Sequence, residues 1–67
     1  MLYKLTADYR PNNPNKPVYY QFANSKKEAI KKWEDRFTWL KVYTCEPLDD
    51  ETAADIVAHP ELHIIAE

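Results

Sequence analysis

Sixty-seven residues hold one domain and one core, and a chain of this length buries only roughly 60% of the surface its unfolded form exposes. The chain contains no glycine, so no P-loop, dinucleotide-binding fingerprint or glycine-flanked nucleophile elbow can be present. The formal net charge of −2 conceals a segregation. Residues 1 to 45 carry nine basic and four acidic side chains, whereas residues 46 to 67 carry seven acids and no Lys or Arg.

Cys45 is the only cysteine, which rules out an internal disulfide. With no N-terminal apolar stretch of the secretory kind, a reducing cytoplasm is the expected location. No apolar run approaches the roughly 20 residues that cross a bilayer, so no membrane role is expected.

In chain order, Leu2 to Tyr9 alternates with period two. Tyr3, Leu5, Ala7 and Tyr9 fall on one face and Leu2, Lys4, Thr6 and Asp8 on the other, which predicts a half-buried strand. Residues 10 to 17 hold three prolines and three asparagines and read as a long, mobile hairpin loop, with Asn supplying any left-handed backbone. Val18 to Ala23 resumes the alternation, Val18, Tyr20 and Phe22 lying opposite Tyr19 and Gln21. Ser25 followed three residues later by Glu28 matches a capping box. Behind it Ala29, Ile30, Trp33, Phe37 and Leu40 share an arc of roughly 100° on a helical wheel, predicting a helix that ends near Thr38.

Trp39 to Glu46 predicts a third strand, with Leu40, Val42 and Thr44 opposite Trp39, Lys41, Tyr43 and Cys45. Asp49, Asp50 and Glu51 suit a helix N-terminus, and Thr52, Ala53, Ile56 and Val57 give that second helix a narrow apolar side until Pro60 ends it. The stretch 61 to 67 is expected to add a last strand. The order ββαβαβ over a single domain, residues 1 to 67, predicts a two-layer α+β fold with a mostly antiparallel sheet and the first helix on one face.

Placing that helix over Tyr3, Leu5, Val18, Tyr20, Phe22, Leu40 and Val42 leaves Tyr19, Trp39 and Tyr43 on the other face beside Lys4 and Lys41. Aromatic rings with cations suit a protein interface, and they also suit single-stranded nucleic acid, whose bases stack while lysines meet phosphates. The bland alternative is that the second helix or last strand covers this face and makes the rings core. Lys27, Lys31, Lys32 and Arg36 form a secondary basic set on the first helix, where Glu28 and Asp35 intervene and make a solvated face the plainer reading.

No catalytic group is assigned. Asp55, His59 and His63 have ligand-like spacing, but Pro60 interrupts the helix that would converge them, so no metal and no cofactor are expected. Cys45 reads as a small buried hydrophobe rather than a nucleophile. The expectation is a non-enzymatic module, an inhibitor or adaptor, that binds another protein or pairs with itself as a homodimer. A small nucleic-acid-binding domain is the alternative. The size and lack of motifs are typical of phage and mobile-element accessory proteins, which is an association only.

Overall fold

The N-terminal alternating run forms β1 (Leu2–Asp8) and becomes an inner strand, paired on both sides. In the computed structural model, which describes Met1–Glu67, β1 runs antiparallel to β2 (Val18–Phe22) and to β3 (Lys41–Pro47). A two-residue strand, β4 (Ile65–Ala66), lies parallel to β2 and completes a four-stranded sheet of order β3-β1-β2-β4. The architecture is the expected α+β fold in the order ββαβαβ, with a mostly antiparallel sheet. A single 3-10 turn at Pro60–Leu62 precedes β4 and occupies part of the stretch expected to be strand.

Helix α1 (Lys26–Arg36) starts where the capping box places it, the Glu28 N–H donating to Ser25 Oγ at 3.1 Å. It ends when the Phe37 N–H donates to the Trp33 carbonyl at 2.8 Å, and a tight turn then returns the chain through a Leu40 N–H to Phe37 carbonyl bond of 3.0 Å. Its inner stripe buries Ala29 and Trp33 fully, with Ile30, Phe37 and Leu40 partly covered. Helix α2 (Asp50–Ala58) begins with two acids in its first turn and buries Ile56.

The two helices lie on opposite faces of the sheet. On the α1 side the core is Tyr3, Leu5, Ala7, Ala23, Ala29, Trp33, Cys45 and Ala66, with Tyr19 packed against it. On the α2 side Leu2, Tyr20 and Ile56 pack with Phe22, Leu48, Ala53 and Ile65. Two expectations are therefore corrected. The register pairs Leu5 with Tyr19 and Tyr3 with Gln21, so α1 covers Tyr19 and Gln21 whereas Val18, Tyr20 and Phe22 lie on the other face. Both faces of β2 are buried at that end because α2 covers the second; the Gln21 Nε2 donates to the Phe22 carbonyl at 2.9 Å, while its Oε1 is buried without a partner.

The second correction concerns β3. Thr6 pairs with Thr44 but Ala7 with Val42, so Tyr43 is the extra residue of a bulge. The bulge breaks the period of two and puts Val42 and Cys45 on the same α1-facing side. The strand also starts two residues later than expected, leaving Trp39 in the turn.

No residue of the chain has positive φ, the backbone counterpart of a composition without glycine. Asparagine is thus not used for left-handed backbone. Asn13 works through its side chain, whose Oδ1 accepts the Asn15 N–H at 3.2 Å.

Trp33 should dominate the stability. Trp33→Ala is expected to cost about 3–5 kcal/mol, enough to leave a domain of this size largely unfolded. Trp33→Phe, which also removes an indole N–H that is buried without a partner, should cost clearly less in the same urea titrations.

Candidate functional site

The end of the sheet where β1 stops and β3 starts is organised by one buried carboxylate. Asp8 is 2% exposed and accepts from Asn13 Nδ2 at 2.7 Å, from the Arg10 N–H at 3.2 Å and from the Arg10 guanidinium at 3.4 and 3.5 Å. The Asn13 amide, aided by Arg10, holds this carboxyl at about 2 against the opposing effect of burial. Lys16 then donates to the Asn13 carbonyl at 2.7 Å and the Pro11 carbonyl at 3.4 Å, closing the loop expected to be mobile on itself, while Asn13 ties it to Asp8 at the end of β1.

These contacts set aromatic rings and cations side by side. The Lys16 Nζ lies 4.4 Å from the Tyr43 ring centroid and Lys41 Nζ 5.6 Å from it, while the Arg10 guanidinium stands 5.1 Å from the Tyr9 ring. Trp39 is exposed and meets Phe37 edge-on at 5.7 Å. An open cleft of about 680 Å³ lies here, with Tyr9, Pro11, Glu34, Trp39, Leu40 and Tyr43 among its walls. Its second carboxylate, Glu34, accepts the Val42 N–H at 3.4 Å.

Of the five residues expected to form a binding face, the structure brings together Trp39, Lys41 and Tyr43. Tyr19 is elsewhere, its ring 4.7 Å from Trp33 in the core. Lys4 points from the α2-side face, opposite Glu46 in the β1–β3 register. Lys27, Lys31, Lys32 and Arg36 are exposed along α1, and Lys32 pairs with Glu28 at 3.1 Å. Tyr9, Arg10 and Lys16 were not expected at the site. Tyr9 continues the alternation of β1 in sequence but lies beyond the strand's end, where a proline-rich loop begins. An aromatic next to such a loop is the signal that marks it.

The remaining candidates do not converge. Burial pushes the Cys45 thiol above its ordinary value despite nearby Lys26, so it stays protonated at neutral pH. The sheet order puts β3 three strands from β4, about 14 Å at ordinary strand spacing, which separates Cys45 from His63 just before β4. His63 instead stands edge-on to Tyr20 at 5.3 Å, and His59 pairs with Glu61 at 3.7 Å on the surface. No three His, Cys, Asp or Glu side chains stand close enough to hold a metal ion together. No helix is long and apolar enough to cross a membrane.

The lowered Asp8 value fixes the sign of one pH effect. A carboxylate more acidic in the folded than in the unfolded chain stabilises the fold fully above pH about 4, and that contribution is lost as pH falls toward 2. Wild type should therefore exceed Asp8→Asn in stability at pH 7, and the gap measured by urea titration should shrink between about pH 4 and 2. A gap independent of pH would contradict the assignment. No family model, curated protein or solved structure matches this chain.

Proposed function

We propose that this chain is a non-enzymatic binding module, an inhibitor or adaptor, that engages another protein through the cleft lined by Tyr9, Trp39, Lys41 and Tyr43. The observation that carries the proposal is Trp39, held 64% exposed on the wall of the largest cleft in the molecule. A large aromatic left in water beside an open concavity has much to gain from contact with a partner. Trp, Tyr and Arg are also the residues that most often dominate protein interfaces.

The non-catalytic part of the reading is supported by the state of the titratable groups. Asp8 is fixed as a carboxylate by Asn13 and Arg10, and Cys45 is a protonated, buried thiol. His63 stands beside Tyr20 next to β4, three strands from Cys45 on β3. Such groups offer no nucleophile with an adjacent base.

Single-stranded nucleic acid on the same cleft is the second reading, and the ammonium groups of Lys16 and Lys41 at the Tyr43 ring favour it. It predicts oligonucleotide binding that weakens steeply with salt. The absence of Lys or Arg from residues 46 to 67 weighs against it.

Capture from a native lysate by crosslinking tests the protein reading. Trp39→Ala and Tyr9→Ala should each lose the retained partner, with affinity falling by roughly thirtyfold for a central anchor, while Lys31→Ala on the outer side of α1 retains it. Retention of the same proteins by all variants would overturn the reading. Binding to oligonucleotides at low salt that Trp39→Ala abolishes would replace it with the second.

A further inference from the structure

The charges around the rings of the cleft are not balanced within the chain. Lys16 Nζ and Lys41 Nζ stand at the same Tyr43 ring, 4.4 and 5.6 Å from its centroid. The ion pairs of the molecule join Arg10 to Asp8, Lys32 to Glu28 and His59 to Glu61, so neither of these lysines is paired with a carboxylate. Arg10 and Asp8 offset one another. Two ammonium groups are left against one exposed carboxylate, Glu34, whose Oε2 accepts the Val42 N–H.

Beside these charges the cleft is apolar and open to water. Trp39 is 64% and Tyr9 66% exposed, and Pro11 and Leu40 lie in the same walls. An anionic group that arrives with an apolar neighbour answers both features. The apolar side chain displaces water from the rings, and the lower local dielectric then strengthens the contact of the anion with the lysines.

The neighbouring edge of β3 narrows the form of the partner. Its Val42 N–H is held by Glu34, Tyr43 is the extra residue of the bulge and Pro47 has no N–H, so no regular ladder is offered to an added strand. Recognition here runs through side chains. A nucleic-acid strand needs cations that track its backbone, whereas Lys16 and Lys41 converge on one ring and the acids of residues 46 to 67 repel a polyanion.

We infer that the partner segment received by this cleft is an acidic peptide, which seats one large apolar side chain against Trp39 and Tyr9 and brings a neighbouring carboxylate to Lys41 and Lys16 at Tyr43. The inference rests on the cleft being the binding site of the module and specifies the chemistry of what fills it.

Selection of a randomised dodecapeptide library on the immobilised full chain tests that chemistry. Retained peptides should be enriched in Asp and Glu next to a large apolar residue and depleted of Lys and Arg. One retained peptide, synthesised and titrated by calorimetry, should bind about fivefold more weakly to Lys41→Glu and roughly thirtyfold more weakly to Trp39→Ala. Glu34→Gln keeps an acceptor for the Val42 N–H and removes the opposing charge, so it should bind about twofold more tightly. Lys31→Glu, outside the cleft, should bind as wild type does. These four positions are exposed, and circular dichroism should show an unchanged fold. A library that yields basic peptides or none, or an affinity that Lys41→Glu leaves unchanged, overturns the acidic partner. If Trp39→Ala nevertheless abolishes crosslinked capture of a protein, the cleft stands and only the chemistry of its occupant falls. Selected peptides that bind Trp39→Ala as tightly as wild type overturn both. An oligonucleotide that binds more tightly than any selected peptide, and only with Trp39 present, replaces the peptide with nucleic acid.

Discussion

Trp33 is buried between Tyr19 of β2 and Phe37 at the end of α1, with ring centroids 4.7 and 4.3 Å away, and this stack joins helix to sheet. An indole burying roughly 150–250 Å² is worth about 4–6 kcal/mol at ordinary transfer coefficients. That is comparable with the whole net stability of a core this small, about 3–5 kcal/mol. The stack also shapes the surface. Phe37 is held against Trp33 by its ring and by its backbone bond to the Trp33 carbonyl, and the next turn must then reverse the chain into β3. Trp39 sits on the outside of that reversal, propped edge-on against Phe37. One tryptophan is exposed because the other is buried.

A chain without glycine makes its reversals with negative φ alone, and the β1–β2 connection shows how. The buried Asp8 carboxylate gathers Arg10 and Asn13, Asn13 folds back on Asn15, and Lys16 caps the Asn13 and Pro11 carbonyls. Side-chain hydrogen bonds here do what a glycine turn does with backbone freedom. The result is a bulky loop with fixed polar contacts, and its outward groups are the Arg10 guanidinium and the Lys16 ammonium, each over a tyrosine ring.

Much of this fold is legible in the sequence because it is locally encoded. The alternation of β1, the Ser25 and Glu28 capping pair, the α1 stripe and the acids before α2 each act within a few residues and predict the elements found. What is not legible depends on distant partners. Tyr20 and Phe22 look more like core than Tyr19 and Gln21, yet both pairs are covered, and only the position of α2 decides that. The Tyr43 bulge likewise has no signal in β3 itself, since it arises where β3 must match β1. Half of the candidate site follows the same division. Trp39, Lys41 and Tyr43 can be singled out by residue type, whereas Lys16 reaches Tyr43 only through the fold of the loop.

The charge segregation gains its meaning from where the carboxylates of the basic half are directed. If Asp8 faced solvent as Glu34 does, the cleft would be a mixed surface with little preference for the charge of a partner. Instead Asp8 lies buried among its donors, so the exposed Glu34, which accepts the N–H of Val42, is the one carboxylate left at the cleft surface beside the cations. The acidic half has no basic side chain of its own with which to do the same, and Glu61 can turn only to His59, on the surface. Exposed charges are screened beyond about 8 Å at physiological salt, so this difference adds little to the attraction between the halves within one copy. It acts at contact, where apolar side chains displace water and unpaired charges must meet their opposites. A cleft that sets Lys16 and Lys41 around an aromatic ring, with Glu34 its one exposed carboxylate, therefore favours an anionic, apolar surface and disfavours a cationic one.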